Sequence, residues 1–398
     1  MSRPANLLCA ALALGTASLA GAPAQAEPDQ LIGSYEVSHL PTLGGAISAG
    51  NSITKQGTTA GFAYLSDNAS MHATAWRDGE IDDLGTLGGP NSAVLWPGKN
   101  DRLIVGVTET AEDNPLDENW SCSAFFPGEP TKKTCVGFVV EAGEMRPLPT
   151  LGGHNGFATG VNDRGQVVGW AENTVHDSSC IAPQVLQFRA AIWGPGEGEI
   201  TELPPLFGDS TSAATAINDH GQVVGISGDC ANAVGGASAR NAVLWDDGEV
   251  IDLGNLGGED WHTPMAINNR GDVIGFSNPT GVGGGAFEPR AFRWTEAEGM
   301  VDLGTLPGDV ESQALGLNAR GKIVGVSCGA GGCRAVVWKH DVAVDLNTRV
   351  ASGDEGRLTS ANDVNNRGTI TGTAVDPATD DTVAFEAIRI RGRAIDRG

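Results

Sequence analysis

The chain repeats one phrase seven times, most clearly as Ile217-Asn218-Asp219-His220-Gly221-Gln222-Val223-Val224-Gly225, Ile267-Asn268-Asn269-Arg270-Gly271-Asp272-Val273-Ile274-Gly275 and Leu317-Asn318-Ala319-Arg320-Gly321-Lys322-Ile323-Val324-Gly325. A fixed period, about 50 residues here, marks an architecture of stacked units that bury their apolar faces against one another. A residue present in every unit answers a need that every unit shares. The repeated Asn and Gly therefore read as architecture rather than chemistry.

One unit, residues 259–308, shows the local plan. Ala266-Ile267-Asn268 reads as a short strand, and Asn269-Arg270-Gly271 turns it, because Asn and Gly tolerate the positive φ of a tight hairpin. Residues 272–276 run back, a loop leads to Arg290-Ala291-Phe292-Arg293-Trp294, and after a turn at Gly299 residues 300–304 make a fourth strand. Four short antiparallel strands per unit, with no helical periodicity, predict an all-β fold, a seven-bladed β-propeller of four-stranded antiparallel blades. The turn recurs at Gly57, Gly165, Gly221, Gly271, Gly321 and Gly368, with a worn copy ending in Ile104-Val105-Gly106. The aromatic strand recurs at Trp76, Phe138, Trp193, Trp245, Trp294, Trp338 and Phe385. A lone fourth strand at 35–40 opens the array and a third strand at 383–390 ends it, so the N-terminal strand is expected to complete the last blade and close the ring. The other phase, seven self-contained blades, sets the apolar aromatic strand outermost, where continuous apolar strands do not belong.

These strings, with Ile251-Asp252-Leu253-Gly254-Asn255-Leu256-Gly257-Gly258, resemble the HAF repeats, a bacterial family of extracellular repeat proteins. The resemblance covers nearly all of residues 35–390 and departs from the pattern at Leu206-Phe207-Gly208, at Leu306-Pro307-Gly308 and around residue 100. It implies export and a propeller-like fold. The family carries no settled activity, so no catalytic residue transfers.

Residues 1–26 read as a secretory signal, with Arg3, an apolar run from Leu7 to Leu19 and Ala24-Gln25-Ala26 before Glu27. Cys9 lies within it, and 27–398 is expected to form a single propeller domain, exported to the periplasm or beyond. No second long apolar segment follows, so no membrane span is expected. A net charge of −24 argues against nucleic acid or anionic lipid as partner. Beyond the signal stand Cys122, Cys135, Cys180, Cys230, Cys328 and Cys333, an even number that favours disulfides in an exported chain. All six fall in connections between second and third strands. The cheap pairings are Cys122 with Cys135, Cys180 with Cys230 across neighbouring blades, and Cys328 with Cys333.

Several strings imitate chemistry. Gly325-Val326-Ser327-Cys328-Gly329 has the spacing of a nucleophile elbow, but its Gly and Ser are repeat positions shared with Gly225, Ser227, Gly275 and Ser277. Residues 281–285 form a glycine-rich loop with no helix behind it to cradle phosphate. Asp376, Asp380 and Asp381 lack calcium-loop spacing, and the Trp series reads as packing between blades. What varies is more telling: the tight turns share one face of the disc, and the long connections share the other, where recognition is usually placed. Around the channel on that face the sequence puts His154, Asn155, Asp209, Glu259, Asp260, Trp261, His262, Asp309, Glu311, Asp354 and Glu355. Converging carboxylates there would hold a cation or cationic ligand, and any ligand, an envelope cation or glycan among them, is expected to contact Trp261 and His262. No motif names a metal or a cofactor. The expectation is a non-catalytic binding or scaffolding propeller. The alternative is an extracellular polymer-degrading hydrolase or lyase that uses channel-mouth carboxylates and His262.

Overall fold

The apolar, β-branched run of each repeat becomes the two inner strands of a four-stranded antiparallel sheet. In the computed structural model, which describes residues 33–118, 124–196, 198–231, 235–351 and 356–390, the strands pair as seven such units. Blades one to six span residues 44–83, 88–147, 156–203, 211–252, 263–302 and 309–345. The seventh combines Arg357–Val364, Ile370–Val375 and Thr382–Arg389 with Tyr35–His39. That last strand pairs antiparallel with Thr382–Arg389, Tyr35 facing Arg389 and His39 facing Phe385. The N-terminal strand thus closes the ring, and a single parallel bridge, Ile47 to Thr382, joins the seventh blade to the first. The signal segment and residues 354 and 355 lie outside the described residues. No helix among the described residues is long and apolar enough to cross a membrane.

First strands such as Thr211–Ile217 and Thr263–Ile267 are buried throughout, whereas the fourth strand of the fourth blade, Glu249–Asp252, faces solvent. The repeated residues tie blade to blade. The turn Asn accepts from the amides two and four residues on, as Asn218 does from His220 and Gln222 at 3.0 and 3.1 Å, and the worn copy Asn100 from the amides two and three residues on. Its amide group reaches the next blade: Asn100 donates to the Asn162 carbonyl, Asn162 to Asn218, Asn218 to Asn268, Asn318 to Asn365, and Asn365 to Thr54. The Gly that ends each turn supplies the left-handed backbone, φ +80° at Gly271.

The aromatic strand makes the outer clamp. The indoles of Trp76, Trp193, Trp245 and Trp338 are buried and donate to Pro41, Pro149, Pro204 and Leu303, carbonyls in the connection entering their own blade. Trp294 is only partly covered. Ser227, Ser277 and Ser327 accept the amides of Leu206, Leu256 and Leu306. Ser327 is fully buried and donates to Asp309 at 2.7 Å, so the Gly-x-Ser-x-Gly string is a structural device.

Cys180 is joined to Cys230, linking the third and fourth blades, and Cys328 to Cys333. The sequence put the latter pair in a connection. The structure puts them directly opposite each other within two strands of one tight hairpin. Cys135 is disulfide-bonded, and its expected partner Cys122 lies outside the described residues.

Candidate functional site

The residues expected to ring the channel on the long-loop face are mostly bound within the fold. Asp209 accepts from Ser227 at 2.6 Å and Asn241 at 2.9 Å. Asp309 accepts from Ser327 and pairs with Arg334 at 2.9 Å. Asp260 is buried and accepts from Asn278 at 3.3 Å, Glu311 lies across a strand pair from Cys328, and the His154 amide donates to Glu172 at 3.1 Å. Glu259 is exposed and accepts from the Gly284 amide. Among the described residues one group of three metal-competent side chains comes together, Asp177 with Cys180 and Cys230, and its sulfurs are spent in a disulfide. Among the described residues, the channel-mouth acids therefore do not gather as one cation cage. Asp376, Asp380 and Asp381 close a turn through the Asp380 amide bonded to the Asp376 carbonyl.

Trp261 and His262 each make contacts within the fold. Trp261 lies edge-on to Phe287, with centroids 4.7 Å apart, and donates to the Gly285 carbonyl. A Cβ on Gly235 of the preceding blade would stand 2.1 Å from its ring, so Gly235 is where that ring fits. His262 is fully buried, its Nδ1 2.8 Å from Ser277 Oγ. Burial holds its pKa below the ordinary histidine value, so the ring is neutral near pH 7. The distance suits a nucleophile–base pair, but Ser277 is equally buried and already accepts from Leu256. Both side chains are shielded from solvent.

Two features lie on the opposite face, among the tight turns. At the axis a cavity of about 110 Å³ is lined by Ile53, Ile217, Ile267 and Leu317, with Lys99 interrupting the apolar collar. Lys99 pairs with Asp363, whose carboxyl is fully buried and raised by desolvation. That pair is closed on itself.

The second feature is a cleft of about 480 Å³ between the sixth and seventh blades. Its wall carries Arg320 and Lys322 from one turn, Lys339 from the next, Arg367 from the adjoining blade and Arg389 from the seam strand. Arg293 is also there, held by Asp341 and Glu298. The other five have no carboxylate within salt-bridge distance among the described residues. The comparable cleft between the second and third blades, about 380 Å³, sets Arg102, Arg146 and Arg164 beside Glu141 and Glu199, and Arg146 bonds Glu141 at 3.2 Å.

Lys322 is the unusual member. Its counterparts Gln166, Gln222 and Asp272 accept from their own turn Asn at 2.9, 2.7 and 2.8 Å. In the sixth blade an ammonium replaces that acceptor and swings to the seam. There it donates to the Tyr35 hydroxyl at 2.5 Å and lies 5.2 Å from the Tyr35 ring centroid. Burial, reinforced by Arg389 and Lys339, pulls its pKa from 10.5 down to about 8. Burial likewise pushes the Tyr35 phenol up to about 12. Lys55, Lys99, Lys132 and Lys133 each rest on an aspartate, whereas Lys322 rests on a phenol. Sequence reasoning looked for recognition in the long loops and passed over this site. The available signal was the one repeat in which a basic residue stands at the Gln or Asp position.

No family model matches the chain, and no curated protein sequence matches it. Similar solved structures include the acylaminoacyl peptidase of Pyrococcus horikoshii, at TM-score 0.48 and 12% identity over 89% of this chain and 54% of that one. Another is a gluconolactonase of Xanthomonas campestris, at TM-score 0.35 and 11% identity over 77% of this chain and 91% of that one. The chain spans about half the length of the peptidase, and at these scores the likeness assigns no activity.

Proposed function

We propose that this protein is an exported binding propeller that takes a small anionic ligand in the cleft between its sixth and seventh blades. One observation carries the reading: Lys322 is a largely buried ammonium with no carboxylate within salt-bridge distance among the described residues, in a cleft lined by four further cations that are likewise unpaired there, in a protein of net charge −24. Burying an unpaired charge costs several kcal/mol of solvation. An anion in the cleft recovers part of it, and its affinity falls with salt because Coulomb attraction is screened. The HAF-like strings and the two disulfides support the exported setting. The hydrolase alternative would draw on the channel-mouth acids and His262, of which Asp209, Asp260, Asp309 and His262 are bonded within the fold.

Isothermal titration with oxalate, phosphate and glucuronate tests this at low and high salt. At least one should bind, more weakly as salt rises, and Lys322→Gln should weaken it at least tenfold, about 1.4 kcal/mol. Equal affinity for wild type and variant would overturn the assignment.

A further inference from the structure

Lys322 offers more than a charge. We propose, resting on the anion-binding reading above, that Lys322 captures carbonyl-bearing carboxylates covalently, as a reversible imine. The first support is geometric. Its ammonium stands in a cleft of about 480 Å³, ample for a small oxo acid, and among the described residues its only hydrogen-bond partner is the Tyr35 hydroxyl. A lysine held by a carboxylate keeps its proton and its lone pair stays unavailable. A lysine held by a phenol, among cations, gives the proton up more readily. The depressed pKa follows from the same surroundings, with Arg389 and Lys339 opposing the charge.

The second support is division of labour. Arg320 and Arg367 project from exposed turn tips and Arg389 from the seam strand, so the cleft wall presents guanidinium groups suited to a carboxylate. An oxo acid anchored by its carboxylate needs only a carbonyl beside that group to meet the amine. In the capture step the neutral Nζ adds its lone pair to the carbonyl carbon while the C–O π pair moves to oxygen. The two nitrogen protons end on that oxygen, which leaves as water, and the C=N bond remains. The buried Tyr35 hydroxyl, 2.5 Å from Nζ, holds the amine at the cleft wall, and the protons pass through solvent in the open cleft. No oxidant or reductant enters, and hydrolysis reverses the step.

The test uses the intact folded protein with pyruvate, trapped by sodium borohydride and read by intact mass and peptide mapping. One reduced pyruvate adduct per chain is expected, at Lys322, forming faster as pH rises from 7 to 9 across the amine's titration at about 8. Propanal, which has the carbonyl but no carboxylate, should label Lys322 at least tenfold more slowly, and Lys322→Arg should give no adduct there. Labelling of Lys339 in place of Lys322, labelling spread evenly over the lysines, or no labelling would overturn the proposal. Titration of the same sample with the three anions separates the two ideas. Oxalate, phosphate or glucuronate binding without pyruvate trapping sinks covalent capture alone, and absence of trapping and of binding by all three sinks the anion site as well.

Discussion

Lys322→Gln should make this protein more stable at pH 7 while removing its ligand. Gln is what the third and fourth blades place at this position, where it accepts from the turn Asn. The wild-type ammonium is shifted from 10.5 to about 8, which at about 1.4 kcal/mol per unit is a folded-state penalty on the order of 3 kcal/mol. Gln removes that penalty and restores an acceptor to Asn318, a gain of about 1 kcal/mol. Against this, the buried Tyr35 hydroxyl loses its partner at a cost of about 2 kcal/mol. The balance is roughly 2 kcal/mol in favour of the variant. Its pH dependence has a definite sign. Between about 8 and 10.5 the unfolded chain holds a proton on Lys322 that the folded chain has released, so wild-type stability rises with pH across that window. The variant has no such group, and its advantage should shrink from pH 8 upward. Urea unfolding followed by tryptophan fluorescence at pH 7 and pH 10 measures both midpoints. A variant less stable than wild type at pH 7 would refute the reasoning, because it would make Lys322 the lock of the seam and not a strained charge kept for a ligand.

Asn218→Ala removes two donated and two accepted bonds and should cost about 3 kcal/mol, seen as a lower urea midpoint. Gly271→Val forces a β-branched residue to φ +80° and should destabilise by at least 2 kcal/mol or abolish folding, with no selective loss of binding. Trp261→Ala should cost about 2 kcal/mol by uncovering Phe287 and Gly235 while leaving oxalate affinity in place. A normally stable Trp261→Ala protein that lost its ligand would move the site back to the long-loop face. His262 is depressed below 6.5 in the folded state, so its share of stability is present above pH 6.5 and is lost as pH falls below it. His262→Asn should flatten that part of the pH–stability curve relative to wild type.

Where structure repeats, the sequence was a sufficient guide. The period set the blades, and Asn218 with Gly221 announced a hairpin that no other residue pair makes so cheaply. The offset between a solitary fourth strand at Tyr35 and a third strand ending near Arg389, with the apolar aromatic strand unsuited to the outer edge, favoured a ring closed by the first strand, and the strand pairs so. These are local or periodic properties, decided by which φ a residue tolerates and which face it buries. Partnership is not such a property. Asp209, Asp260 and Asp309 looked free for a ligand because neighbours in sequence do not reveal Asn241, Asn278 or Arg334, which take them up in space. Lys322 looked like one more turn residue because its hydrogen-bond partner, Tyr35, stands 287 positions away. Burial, the distance between charges and the lack of a counter-ion decide whether a side chain is scaffold or site, and they come into being only when the first strand is laid beside the last.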